Sequence, residues 1–268
     1  MKTYISMFKL RFINGLQYRA AALAGVSTQL FFGFIFITVY VAFFESNNST
    51  NLPMNLQEIV DYLWLNQAFL ALIYTWIQDK DLLSLIRNGN IAYEYVRPIS
   101  FYKKWFTTMY ANRLSNVLLR FIPVIIIASI LPATYKLGLP VSILGFIMFI
   151  LSLILASLIV NTFSYIIHIL TFYTLDEKGI VSLFMVISEI FAGGTVPIAF
   201  FPKILKIIAY ILPFRYTCDL PFRIYSGNIS VINAIPSLIG GIVWLIILLF
   251  IGYLLSKDIT KKAIIQGG

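Results

Sequence analysis

The feature that most constrains this chain is the separation of its charged residues from long stretches that contain none. Residues 21–44, for instance, hold no Asp, Glu, Lys or Arg. Such a stretch can cross the hydrocarbon core of a bilayer, which takes about 20 residues of helix. Only 12% of all residues are charged and 60% are hydrophobic, whereas a soluble domain carries about 25% charged residues. We therefore predict an all-α membrane protein and exclude a soluble enzyme.

The apolar stretches predict a bundle of six membrane-spanning helices within a single transmembrane domain, residues 1–268. The predicted spans cover residues 21–44, 62–78, 114–133, part of 141–170, a stretch from about 180 to the irregular region near 193, and 234–256. Residues 201–233 are also apolar, but three prolines interrupt them, and proline ends or kinks a helix. We interpret residues 190–233 as an outer re-entrant hairpin between spans five and six.

Lysine and arginine are concentrated on one side of this predicted topology. With the N-terminus placed in the cytoplasm, 15 of the 20 basic residues fall in inner segments and 5 in outer segments. Cytoplasmic loops of membrane proteins carry such an excess. We therefore predict a multi-pass protein of the cell (cytoplasmic) membrane with both termini in the cytoplasm. The net charge of +9 is then a topology signal, and nucleic acid is not needed to explain it.

Residues 1–20 precede the first span and have the pattern of an amphipathic helix. Ile5, Phe8, Phe12 and Leu16 recur at helical spacing, and four basic residues lie elsewhere around the helix. A helix of this kind lies on the membrane surface, with its apolar face in lipid and its cations near anionic headgroups. It either takes part in function or only anchors the topology.

The inner loop between predicted spans two and three, residues 79–113, is longer than a connector requires. Helices in a bundle are usually joined by about 2–8 residues. Leucine and isoleucine at positions 82, 83, 85 and 86 form a short apolar face, and Asn88 with Gly89 makes a helix stop. We predict a short helix, held just below the membrane, that a soluble partner could grip. A solvated connector is the alternative.

Polar residues inside the predicted spans are further candidates for function. Such side chains face a protein interior or a wet cavity, because hydrocarbon cannot solvate them. Four of them share one face of span four, and the others lie in spans two and five. They are Asn161, Ser164, Tyr165 and His168 in span four, Asn66 and Gln67 in span two, and Glu189 in span five. The span-four residues either line a pathway or form interhelical hydrogen bonds. Glu189 is either a structural pairing partner or a gate.

Sequence motifs for catalysis are missing. The chain has no G-x-x-x-x-G-K-[ST] phosphate loop, no H-E-x-x-H zinc motif and no G-x-S-x-G nucleophile motif. One cysteine, Cys218, excludes a disulfide framework and a cysteine-based metal cluster. The single histidine and the few carboxylates within spans disfavour a proton-driven carrier. We therefore expect no catalytic residue, metal or cofactor in this chain.

The chain resembles the membrane subunits of bacterial type-2 ABC exporters, and the resemblance spans nearly the whole chain in four parts. The first is the amphipathic N-terminal helix followed by LQYRAAALAGVSTQLFFG at span one, and the second is YLWLNQAFLAL in span two followed by LIRNGNIAYEYVRPIS in the inner loop. The third is the outer segment SEIFAGGTVPIAFFPKILKIIAYILPFRYTCDLPFRIYSG, and the fourth is one short closing span with a basic tail. The inner-loop and outer-hairpin segments are the specific ones. These permeases pair with a separate ATPase. One departure from the family pattern is the lack of a large outer domain.

The resemblance implies a half-transporter. Two permease subunits, identical or related, would form the pathway, and two copies of an ATPase that carries ATP and Mg²⁺ would bind below. The outer gate would comprise residues 191–202 and 213–223, which include Gly193, Gly194 and Pro197. The inner loop would supply a coupling helix, residues 79–88. Its contacts with the ATPase would come from Asp79, Asp81, Leu82, Leu85, Ile86, Arg87 and Asn88.

Cargo and functional class stay open at this point. An apolar bundle suits amphipathic cargo such as drugs, antimicrobial peptides or lipids, but polysaccharide exporters share this architecture. A membrane scaffold or sensor, and a secondary carrier, are the competing classes. A continuous polar path through the bundle would separate a transporter from a scaffold, in which the same polar residues would be buried.

Overall fold

The computed structural model describes residues 2–46, 52–75, 78–88, 90, 92–95, 97–174 and 177–266. Within these ranges, helices are the only regular secondary structure. The α-helices are α1 (Lys2–Gly15), α2 (Arg19–Ser46), α3 (Leu56–Ala68), α4 (Leu70–Ile73), α5 (Lys80–Arg87), α6 (Ala92–Tyr95), α7 (Phe101–Ile130), α8 (Ile143–Thr174), α9 (Glu177–Ala192), α10 (Lys203–Ile211), α11 (Asp219–Tyr225) and α12 (Val231–Gln266). Short 3-10 turns cover Ala133–Tyr135, Ile198–Phe200 and Pro213–Tyr216. The predicted all-α class is confirmed.

Within the described part of the chain, four helices are long and apolar enough to cross a membrane. They are α2, α7, α8 and α12, and they coincide with predicted spans one, three, four and six. Predicted span two is divided between α3 and α4, with an interruption at Phe69. Predicted span five corresponds to α9, which has 16 residues. The six-span count and the re-entrant hairpin therefore remain predictions.

Helix α8 is the centre of the bundle. It packs against α7, α9, α11 and α12, and its side chains Ala156, Ile159 and Val160 are fully buried. Since lipid tails are as apolar as these side chains, close packing and interhelical hydrogen bonds hold such helices together. A second apolar cluster lies at one end of the bundle, where α5 meets α7, α8 and α12. We refer to this as the α5 end.

Helix α1 runs alongside the first half of α7. The Ser100 backbone N–H donates to the Tyr4 hydroxyl (3.0 Å), and the rings of Phe8 and Tyr110 lie 6.5 Å apart. A Cβ at Gly15 would meet the Ser115 hydroxyl at 2.0 Å, so the two helices touch there. Ile5, on the predicted apolar face, is exposed. The predicted helix within residues 1–20 is present, and α7 covers part of its apolar face.

The opposite end of the bundle is closed by the segment between α9 and α12. Helix α11 lies against α3 and α8. The buried Asp219 carboxylate accepts from the Ile198 backbone N–H (3.1 Å) and from the Arg223 guanidinium (3.2 Å). Burial raises the pKa of the Asp219 carboxyl, and the facing Arg223 opposes that shift. These contacts fix α11 to the turn that follows Pro197.

Candidate functional site

The interruption of predicted span two is stabilised by a buried arginine of α7. Arg113 is 3% exposed, and its guanidinium donates to the carbonyl oxygens of Ala71 (3.0 Å) and Tyr74 (2.7 Å) and to the Ser164 hydroxyl (2.6 Å). A broken helix leaves carbonyl groups without partners, and hydrocarbon cannot satisfy them. Sequence reasoning treated Arg113 only as a topology residue, and its structural role was missed.

Helix α3 is joined to the glycine pair that ends α9. The Tyr62 hydroxyl donates to the Gly193 carbonyl oxygen (2.8 Å), and the Asn66 amide donates to that of Gly194 (2.6 Å). Gly193 has φ +80°, a left-handed conformation that glycine adopts without steric cost. The sulfur of the fully enclosed Cys218 lies 3.5 Å from the Tyr62 hydroxyl. Of the predicted gate residues, Gly194 thus contacts Asn66, another predicted candidate, and Gly193 contacts Tyr62.

Beside this junction lies a cavity of about 400 Å³ between α2, α3–α4, α7 and α9. Its apolar wall includes Phe32, Phe36, Leu70 and Met185. Its polar groups come from Thr28, Gln29, Gln67, Tyr74, Arg120, Glu189 and Thr195. Three of the predicted candidates, Gln67, Glu189 and Gly194, therefore line one cavity. A volume near the lower end of the usual range for ligand sites, about 300–1,000 Å³, suits a small molecule or part of a larger one.

Two polar side chains of the cavity lack partners among the described residues. Gln29 is 4% exposed, and neither its amide nitrogen nor its amide oxygen forms a hydrogen bond with them. The Arg120 guanidinium makes no hydrogen bond or ion pair within the described part of the chain, and its Nε is buried. Gly25 gives the guanidinium room, because a Cβ there would lie 2.9 Å from the Arg120 Cζ. Neither residue was singled out from the sequence as a pathway candidate.

Glu189 faces the same cavity from α9. The Thr195 hydroxyl donates to its carboxylate (3.2 Å), and the Gly194 backbone N–H donates to its carbonyl oxygen (3.0 Å). Among the described residues, no cation lies within ion-pair distance of this carboxylate. The cavity thus contains one carboxylate and one guanidinium that do not pair with each other.

The polar residues of α8 lie outside this cavity and hydrogen-bond to neighbouring elements. Asn161 donates to the Phe106 carbonyl oxygen (3.1 Å), Ser164 accepts from Arg113, and the Tyr165 hydroxyl lies 2.6 Å from that of Ser256. All four side chains of the predicted stripe, His168 included, are fully buried. Of the two sequence interpretations, interhelical hydrogen bonding describes their contacts in this chain.

His168 connects α8 to the start of α5. Its Nε2 accepts from the Asp79 backbone N–H (2.9 Å), and its Nδ1 lies 2.6 Å from the Ser164 carbonyl oxygen. The proton is therefore on Nδ1, since Nε2 acts as the acceptor. The Asp79 carboxylate caps α5 by accepting from the backbone N–H groups of Asp81 (3.1 Å) and Leu82 (3.2 Å). An N-cap of this kind fixes the first turn of a helix.

Helix α5 lies within the predicted coupling segment and turns its apolar side towards the bundle. Leu82 and Ile86 are buried against Phe101, Trp105 and Ile169, and Leu85 is partly buried. The outward face is polar, with Lys80, Asp81, Ser84, Arg87 and Asn88 exposed. On the side towards α1, the Arg11 guanidinium pairs with the Asp81 carboxylate at 2.5 Å. The predicted contact residues Leu82 and Ile86 are thus covered by the bundle, whereas Asp81, Arg87 and Asn88 are accessible.

These features define a helical membrane protein with a polar-lined cavity and a short helix docked at one end. The family model of the ABC-2 family transporter proteins matches residues 30–264, so this chain belongs to the ABC-2 transporter family. The resemblance to ABC-2 permeases is therefore confirmed, and the family implies association with an ABC ATPase. A comparison with curated proteins finds no significant match.

Proposed function

We propose that this chain is the membrane-spanning half of an ATP-driven exporter. The observation that carries the proposal is the attachment of α5. Its apolar side is buried against α7, α8 and α12, the backbone N–H of its N-cap residue Asp79 donates to His168, and its polar side is exposed. A soluble ATPase that grips the exposed side would therefore move the long helices together with α5.

The proposed assembly holds two copies of the ATPase and a second permease subunit, identical or homologous. ATP and Mg²⁺ bind to the ATPase, and this chain contributes no catalytic residue or cofactor. When ATP closes the ATPase dimer, the two α5 helices are displaced and the bundles rock, so that the cavity opens outward. Nucleotide and cargo can shift this equilibrium only through their different affinities for the two states.

The proposed topology has six spans with the α5 end in the cytoplasm. Helices α3 and α4 together form span two, and α9 with the following turn forms span five. At 1.5 Å per residue, the 16 residues of α9 extend about 24 Å, less than the bilayer core of about 30 Å. In this proposal, Gly193, Gly194 and the turn that follows supply the rest of span five. This irregular backbone can lie within the membrane, because Tyr62 and Asn66 donate to the Gly193 and Gly194 carbonyl oxygens inside the protein. Residues 190–233 then form the re-entrant hairpin.

Amphipathic cargo fits the cavity better than a polysaccharide does. Phe32, Phe36, Leu70 and Met185 give the cavity an apolar wall, on which the hydrocarbon part of an amphipathic cargo would pack. Gln67 and Glu189 line the cavity, as expected of a transporter, whereas Asn66, Asn161 and Ser164 are buried between helices, as expected of a scaffold. An open, partly polar cavity favours the transporter over a scaffold or sensor.

Site-directed crosslinking tests the assembly. Cys218 is buried, so a cysteine introduced by S84C on the exposed side of α5 would be the accessible thiol. The tagged variant is expressed in its native host, crosslinked, extracted in mild detergent and analysed for covalently attached proteins. We expect a soluble ATP-hydrolysing subunit at stoichiometric amounts. The control is S46C, since Ser46 is exposed at the end of α2 away from α5. Recovery of S84C without any ATPase would contradict the proposal.

A further inference from the structure

We infer that the cavity between α2, α3–α4 and α9 binds a zwitterionic amphipathic ligand, with its anionic group at Arg120 and its cationic group at Glu189. The inference rests on the proposed function in one respect, that this ligand is the exporter's cargo. Ligand binding itself is a property of this chain alone.

The unpartnered groups indicate that the cavity is built for a polar ligand group. Burying an amide or a guanidinium without a hydrogen bond is unfavourable. Gln29 is nevertheless 4% exposed with both amide atoms free, and it lines the same cavity as Arg120. An oxyanion placed between them would accept from the guanidinium and from the Gln29 amide nitrogen, and such charge-assisted hydrogen bonds are among the strongest in proteins.

The charge content of the cavity selects a ligand that carries both signs. Among the described residues that line it, Arg120 and Glu189 are the two charged ones. A purely anionic ligand would gain from Arg120 but would meet the Glu189 carboxylate, and a purely cationic ligand would meet Arg120. A zwitterion can pair with both Arg120 and Glu189, and its net charge is zero. Charges at membrane depth usually pair or mark a substrate path.

The apolar wall accounts for the rest of the ligand. Phe32 and Phe36 project from α2, and Leu70 and Met185 face them from α4 and α9. A hydrocarbon segment would pack on these side chains, while a quaternary ammonium near Glu189 would also meet the Tyr74 ring, which attracts cations. The shared chemistry is therefore a phosphocholine- or phosphoethanolamine-like headgroup with an alkyl or acyl segment. A membrane phospholipid and a free amphipath both offer it.

Four probes with the same ten-carbon chain test the charge assignment. They are decylphosphocholine (zwitterionic), decyl sulfate (anionic), decyltrimethylammonium (cationic) and decyl maltoside (neutral). Each is titrated against the purified chain in nanodiscs, and binding is followed by intrinsic fluorescence and by thermal stabilisation. We expect the zwitterion to bind about tenfold more tightly than the other three, since one charge-assisted contact is worth about that factor. Equal affinity for all four would overturn the inference.

Charge-removing variants make the test independent of overall stability. R120Q leaves only Glu189, so its preference should shift to the cationic probe. E189Q leaves only Arg120, so its preference should shift to the anionic probe. Q29L should weaken phosphocholine binding without reversing the order. K203Q, on the exposed face of α10, is the control for a lost charge elsewhere and should behave as wild type. Unchanged preferences in R120Q and E189Q would refute the assignment even if both variants fold.

Lipid analysis distinguishes the two sources of the ligand. If the ligand is a membrane phospholipid, phosphatidylethanolamine should co-purify with wild type and be lost from R120Q. If it is a free amphipath, lipid retention should be equal while the binding preference still shifts. Because these assays need no ATPase, they separate the two proposals. If an ATPase partner is found but binding is not charge-selective, only the ligand assignment is overturned. If binding is charge-selective but no ATPase is found, only the proposal that the chain is half of an exporter is overturned.

Discussion

Replacement of Arg113 by methionine is expected to destabilise the chain more than any exposed charge substitution. The guanidinium makes three hydrogen bonds of 3.0 Å or less, to Ala71, Tyr74 and Ser164. Hydrogen bonds to a charged group contribute about 1.5–3 kcal/mol each, so their sum sets an upper bound of about 9 kcal/mol. Part of this is offset because methionine no longer carries a charge out of water. The substitution leaves two buried carbonyl oxygens without this donor, and each unsatisfied buried group costs about 1–3 kcal/mol of the free energy of unfolding.

The assay is unfolding of the purified protein in mild detergent, followed by fluorescence as a function of temperature and of denaturant. R97M is the matched control, because Arg97 is largely exposed and pairs with Glu94 at 3.4 Å; an exposed pair contributes about 0–1 kcal/mol. R113K should fall between the two, since an ammonium cannot reach all three acceptors. If R113M unfolds within about 1 kcal/mol of R97M, the α3–α4 break is not held by this side chain.

Three further predictions concern α5 and its attachments. S84P should uncouple ATP hydrolysis from transport in reconstituted vesicles, because a proline in the interior of a helix destabilises that helix by about 3 kcal/mol. S84A is the control. Coupled transport in S84P would refute the role of α5. H168L should lower the free energy of unfolding by about 1–3 kcal/mol, because it leaves the buried Asp79 backbone N–H unpaired. T171A, the control, removes a hydroxyl that bonds within α8 and should cost less. Equal effects would contradict a stabilising link between His168 and the start of α5. In intact cells, S46C should react with an impermeant thiol reagent from outside and S84C only after permeabilisation; the reverse pattern would overturn the topology.

The long spans were predictable because an uncharged stretch of about 20 residues in lipid must form a helix to satisfy its own backbone hydrogen bonds. Helices α2, α7, α8 and α12 follow from that rule. The position of α5 was predictable for a local reason. Asp79 can cap a helix through its own side chain, and Asn88 follows the last apolar residue. Capping and stop signals operate within a few residues, so the sequence shows them directly.

The break in predicted span two was not predictable from its own residues. Positions 69–75 read FLALIYT and contain neither proline nor glycine, the residues that usually interrupt a helix. The open carbonyl groups of Ala71 and Tyr74 accept hydrogen bonds from Arg113, which lies far along the chain. Hydrogen bonds between residues far apart in the chain produce no regular spacing of residues in the sequence, so a pattern search does not find them. The one indication in the sequence was an arginine next to an apolar span, because a buried arginine is costly unless it finds hydrogen-bond partners.

The same principle explains why only part of the candidate site was found. Polarity inside a span identified Gln67 and Glu189, which line the cavity, and equally Asn161 and His168, which are enclosed between helices. Polarity alone therefore does not distinguish packing from binding. Arg113 and Arg120 make the contrast within one helix: they lie seven residues apart, about two turns, on the same side of α7. The first is bound to backbone carbonyls, whereas the second has no hydrogen-bond partner among the residues that the structure describes and borders a cavity with Gln29. A buried polar group that the fold leaves unpaired beside an open space is the observation that points to a ligand, and it becomes visible only once the helices are packed.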